Sequence, residues 1–383
     1  MKRIYFIITA LASLLIWKSS FAQKKELLEN NIQEILKKYE AVGLAVQVVK
    51  DNKVVYKKAF GYADLEKGKK LKTDGVFRIA SISKSFTATA LMQLVEEGKV
   101  SLKDDFGDLI GFPIRNPNFP DEVITLEMVL SHTSSISDQN GYFTLDVINP
   151  GKNKDWAKSY NTYRPGTQYQ YCNLNYNMAG AVIERLTGHR FDHEISDRIL
   201  KPLKLKAGYN VDDLDAHKFV KLYSYNEKEK KFVAQPAAYN SPKKALETYQ
   251  IGVSTPVFSP TGGMKISSDD LTAYLRMHMN YGHFKKQNVL SKESSKSMQK
   301  PRIETKYGGY GLALTQNNTV IPGEEMIGHT GDAYGLYSNM YFEPNKKFGF
   351  VVITNGARAS YDTNDNLLFS KEVINALYDF FIK

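Results

Sequence analysis

Ser81-Ile82-Ser83-Lys84 sets a hydroxyl and an amine three residues apart, which brings both onto one face of a helix and within reach of each other. A serine hydroxyl is a poor nucleophile until a neighbouring base takes its proton. A lysine can be that base if burial or nearby cations destabilise its charge. A helix start at Ser81 would add a positive potential favouring both the alkoxide and the neutral amine. Taken alone, S-x-x-K reads more simply as an N-cap followed by a solvated lysine, so the flanking sequence has to decide.

Those flanks are distinctive. The stretch FRIASISKSFTATALMQLVEEGKVSLKD, residues 77–104, joins the pair to a long apolar helix face. It resembles the nucleophile region of class C β-lactamases and related penicillin-binding serine hydrolases. The resemblance implies two further elements in fixed order, a Tyr-x-Asn or Ser-x-Asn and a Lys/His-Thr-Gly on a strand beside the site. Two segments compete for the first. Tyr337-Ser338-Asn339 lies inside an alternating strand pattern and follows the third element, so it reads as ordinary strand. Tyr171-Cys172-Asn173 lies 90 residues after Ser81, within PGTQYQYCNLNYNMAGAVIERLTG, and matches the family pattern in order and surroundings. By resemblance, Tyr171 moves protons with Lys84, and Asn173 binds the acyl side chain and steadies the lysine. Which of Lys84 and Tyr171 is the base stays open.

The third element is His329-Thr330-Gly331, within GHTGDAYGLYSNMYFEPNKKFGFVVITNG. The resemblance gives His329 and Thr330 a substrate carboxylate or the proton network to hold. Gly331 is expected to let a substrate backbone approach the strand edge. The backbone N–H groups of Ser81 and Asp332 would form the oxyanion hole. Asp332 departs from the small residue frequent there and sets negative charge beside the substrate.

The elements needed to position these residues are legible from periodicity. Lys24–Glu40 carries one apolar helical face, and Gly43–Val49 with Lys53–Phe60 reads as a hairpin turning at Asp51-Asn52. Helices are expected over Ser81–Glu97, Asn173–Leu186, Asp269–Met279 and Leu367–Phe381, and strands over Gly309–Leu314, Leu336–Phe342 and Phe348–Thr354. Strands at both ends around a helical middle predict an α+β fold, and the resemblance implies the β-lactamase/transpeptidase type. Its antiparallel sheet is built from both chain ends and flanked by helices, with a mostly helical lobe, roughly residues 90–250, inserted.

Residues 1–22 have Lys2 and Arg3, an apolar run from Ile4 to Trp17, and a Ser20-Phe21-Ala22 close. This is the layout of a signal peptide, so export to a periplasmic or extracellular space is expected, with a hydrolase domain over 23–383 and no integral membrane segment once the leader is cleaved. Its removal takes the net charge from +10 to about +7. The lysines are scattered through turns without a basic helix, and no nucleic-acid motif is present. With Cys172 the single cysteine, no intramolecular disulfide can form. The chain is expected to act as a monomer on a small peptide, β-lactam or ester, without cofactor.

Other segments weigh less. His189 and His193 have a metal-ligand spacing but no third ligand, so no metal is expected. His132, in Leu130–Ser135, reads as part of a structural turn without chemistry. Ser259–Gly263 resembles a family turn at the pocket rim. The aromatic stretch Asp138–Tyr163 fits either a substrate rim or a surface excursion packed on itself. Cys172 should point away from the site and pack.

Overall fold

The computed structural model describes residues 22–383; residues 1–21, which carry most of the expected leader, lie outside it. Residues 22–38 form the first helix. Gly43–Lys50 and Lys53–Asp64 then pair antiparallel through a turn in which Asp51 and Asn52 both take positive φ, as a two-residue hairpin requires. The hairpin joins Met326–Ala333, Leu336–Glu343 and Phe348–Thr354 through the pairing of Gly43–Lys50 with Phe348–Thr354. Shorter strands extend the sheet on both sides, giving nine antiparallel strands among the described residues.

Both faces of this sheet are covered. Leu44, Val46 and Val48 point into a core shared with the first helix and with Leu368–Phe381 through Phe369, Val373 and Leu377. Ala45 and Val49 point the other way, into the core containing Phe86, Leu271 and Leu275. That double burial is why these strands read as almost unbroken apolar runs rather than as alternation. The segment between the two strand groups holds the helices Ser83–Glu96 and Asn173–Thr187, with long loops between them.

One expected strand is broken. Of Gly309–Leu314 only Gly309 and Tyr310 are strand, the end of Gly308–Tyr310, and the pairing resumes at Thr315–Asn317. Gly311 packs against the carbonyls of Met298 and Lys300, and Ala313 takes φ +58°. The apolar residues Leu312–Leu314 are buried by a turn instead.

Candidate active site

Ser81 sits in a 3-10 turn, Ala80–Ile82, that runs directly into the Ser83–Glu96 helix. Ala80 takes φ +51°, a conformation that costs a non-glycine residue free energy and persists only where its surroundings fix it. They do so here. Ser338 Oγ donates to Ile79 O at 2.8 Å, and Ser83 Oγ donates to Ala80 O at 2.6 Å while accepting from the Met264 amide. Gly331 completes the clamp, because a Cβ there would stand 2.2 Å from Ile79 O. This gives Gly331 a packing role beside the one expected of it. Its bare Cα serves close packing of the strand on the nucleophile turn, and it is Thr330 and Asp332 that present side chains outward.

Lys84 has no solvent exposure. Its Nζ lies 3.1 Å from Ser81 Oγ, 2.9 Å from Asn173 Oδ1 and 2.9 Å from Thr261 O. Burial lowers its pKa from 10.5 to about 7, opposed by the negative field of Asp138. The geometry suits both protonation states. An ammonium donates to all three oxygens; a neutral amine keeps the two carbonyl contacts and turns its lone pair to the Ser81 proton.

Tyr171 lines the same cavity as Ser81, whose side chain favours the charged form of the phenol, and its ring lies 4.7 Å from Lys84 Nζ. Burial pushes its phenol far above the ordinary range. Between these two candidates the lysine is therefore the group that can be uncharged and basic near neutral pH, with Tyr171 a neutral donor beside it.

Asn173 opens the helix Asn173–Thr187, whose preceding residue, Cys172, gives no side-chain cap. The cap comes from the distant loop. Asp138 accepts from the Asn173 and Leu174 amides at 2.9 and 3.0 Å, from Asn173 Nδ2 at 2.9 Å and from Cys172 Sγ at 3.2 Å. A carboxylate at a helix N-terminus is stabilised by the free amides and the dipole. It also fixes the Asn173 amide orientation, so that Oδ1 accepts from Lys84 and from Thr261 Oγ1. The sequence offered no signal for Asp138, an acidic residue in an aperiodic loop. Cys172 itself is fully buried, and burial raises its thiol pKa.

His132 is more than a turn residue. Its Nδ1 accepts from the Cys172 amide at 3.2 Å, and its ring packs 4.4 Å from that of Tyr171. It positions the Tyr171–Asn173 segment from behind. The turn at residues 259–263 supplies Thr261, pressed into place where Gly180 lets the helix approach Pro260; a Cβ would meet its ring at 2.2 Å. His189 and His193 lie outside the site, engaged with Glu194 and Arg190.

His329 is buried and lies beside Tyr171. Its Nδ1 is 2.5 Å from Thr330 O and its Nε2 is 3.3 Å from the Tyr310 hydroxyl. Burial and the nearby Lys84 hold its pKa at about 3, so the ring is neutral. Ser81, Tyr171, Asn173, Thr330 and Asp332 line one cavity of about 640 Å³, with Tyr142, Phe143 and Tyr334 around its mouth. Of the Asp138–Tyr163 stretch, Asp138 belongs to the site and Tyr142 and Phe143 to its rim; Trp156 and Tyr160 pack on each other.

This chain belongs to the beta-lactamase family, whose model, described as Beta-lactamase, matches residues 28–370. It is 26% identical over 339 residues to Protein flp of Staphylococcus aureus (strain MW2), covering 85% of this chain. The chain spans 61% of the length of that relative. Among solved structures it is similar to the octameric penicillin-binding protein homologue from Pyrococcus abyssi, with a TM-score of 0.72 and 26% identity over 92% of this chain and 76% of that one. The hydrolase EstCE1 shares the fold, with a TM-score of 0.72 and 19% identity over 95% of this chain and 100% of that one. Among the described residues, no helix is long and apolar enough to cross a membrane.

Proposed function

We propose that this protein is an exported serine hydrolase that works through an acyl-enzyme. The observation that carries the reading is a buried lysine, its pKa lowered to about 7, whose Nζ lies 3.1 Å from Ser81 Oγ. Lys84 takes the Ser81 proton as Oγ attacks the substrate carbonyl carbon. The oxygen of the tetrahedral adduct is held by the Ser81 and Asp332 amides. When the carbonyl bond to the leaving group breaks, the proton passes from Lys84 through the Tyr171 phenol to that group. Water then attacks the acyl-serine with the same base. The basic start and apolar run of residues 2–17 support export.

The surroundings support an ester or a D-amino-acid amide as substrate better than a D-alanyl carboxypeptide or a β-lactam. Both of the latter bring a carboxylate toward the third element. Here that element offers a neutral histidine and an aspartate, whose pKa burial raises, and no cation; Arg78, which also lines the cavity, is committed to the Gly262 and Ala238 carbonyls and the Tyr334 ring. A panel of a p-nitrophenyl ester, a D-alanine amide, a D-Ala-D-Ala peptide and penicillin tests the reading. Turnover of ester or amide well above that of the two carboxylates is expected. Efficient hydrolysis of the peptide or of penicillin would overturn the substrate assignment, and no acylation by any of the four would overturn the hydrolase.

A further inference from the structure

A second cavity, of about 340 Å³, lies across the strand Met326–Ala333 from the nucleophile. Both cavities are lined by Tyr171, His329, Thr330 and Asp332, so they meet at this strand. They can meet because the edge is open. Thr315–Asn317 pairs only as far as Gly328, leaving residues 329–333 without a strand partner on that side among the described residues. A substrate with its carbonyl at Ser81 has room for one limb beside Asn173 and another over this edge.

The walls of the second cavity are rich in tyrosine, and its charges are unevenly matched. Lys371 Nζ is 2.6 Å from Asp362, and Asp365 is paired with Lys306 and the Tyr307 hydroxyl. Asp332 makes no ion pair among the described residues; its one side-chain hydrogen bond there is from the Tyr361 hydroxyl, 3.4 Å from Oδ2. Tyr337 stands directly opposite Asp332 in the strand register and on the same face. An unpaired carboxylate flanked by two aromatic rings is a combination that binds an ammonium group and repels an anion.

Building on the hydrolase reading above, we propose that Asp332, with Tyr337 and Tyr361, forms a subsite for a positively charged ammonium group carried by the substrate limb that crosses the strand edge. Asp332 then has two separate duties: its amide faces the carbonyl oxygen, and its side chain selects the charge of the departing half. The substrate class narrows to esters or amides whose leaving group bears a protonated or quaternary amine.

Choline and its neutral carbon isostere, 3,3-dimethylbutan-1-ol, isolate that charge. Binding of each to the whole protein by calorimetry or ligand-observed NMR needs no catalysis. A preference of about tenfold for choline is expected from one charge-assisted contact, falling to near parity in Asp332→Asn. The same contrast should appear in the ratio of kcat/KM for choline and dimethylbutyl esters of one acid. Equal binding of the two, no binding of choline, or a preference that survives Asp332→Asn overturns the subsite. A choline preference without acylation of Ser81 by either ester would keep the subsite and sink the hydrolase instead.

Discussion

The two walls of the site differ in kind. On one side Lys84 is buried and Tyr171, Asn173 and Asp138 are partly so; Asn173 bonds to both Lys84 and Asp138, and the Tyr171 ring lies 4.7 Å from the lysine. On the other, Thr330 and Asp332 stand exposed on an open strand edge, and Asp332 is faced by Tyr337 of the neighbouring strand and by the loop around Tyr361. Burial shifts pKa values and fixes geometry, so the closed wall can run the proton transfers. An exposed edge leaves the backbone and side chains free for whatever docks there, so the open wall is where substrates are told apart.

Breaking the closed wall should be costly. Tyr171→Phe keeps the ring and removes the proton donor, and kcat should fall by about 10²–10⁴-fold with the fold intact by circular dichroism. Asp138→Ala removes a helix cap and an anchor of Asn173 together. It should lower unfolding stability by about 2–4 kcal/mol in urea titration and depress kcat as Asn173 loses its orientation. Unchanged stability would show that the cap is idle.

The pH profile sharpens the same contrast. The reactive lysine is the neutral one, so kcat/KM should rise with pH through about 7 and level above it. Asp138 favours the charged lysine, so Asp138→Asn should move that rising limb to lower pH. Movement to higher pH would contradict the electrostatic role. The smallest effect is expected at Cys172→Ser. A serine hydroxyl can make the same contact to Asp138, and stability should change by no more than about 1 kcal/mol with activity retained.

How much was legible in the sequence follows the same division. Spacing alone put Ser81 and Lys84 within reach of each other, and it was the resemblance of the flanking stretches to the penicillin-binding serine hydrolases that singled out both, with Tyr171 and Asn173; the elements that carry them were readable from their apolar periods. Such periods encode helices and strands locally. The carboxylate of Asp138 acts across 34 to 36 residues of chain, from a loop without period, and nothing in its neighbourhood marks it. His132 was visible only as a turn residue, since its partner amide lies 40 residues on. Gly331 was recognised, but its contact with Ile79 O depends on how a strand docks on a turn 250 residues earlier. The tyrosine-walled cavity was out of reach for the same reason, since segments near residues 169, 305–320, 330 and 361–371 build it together. The lone cysteine drew attention by rarity alone, and the structure gives it a buried contact to the carboxylate that orders its neighbours.

The central claim is that Ser81 becomes acylated with Lys84 as its base. Mixing the protein with a p-nitrophenyl ester, quenching in acid and mapping the added mass by peptide sequencing tests it directly. The acyl group should sit on Ser81, and both adduct and p-nitrophenol burst should vanish in Ser81→Ala. An adduct on another residue, Cys172 included, or undiminished turnover by Ser81→Ala, would contradict the account.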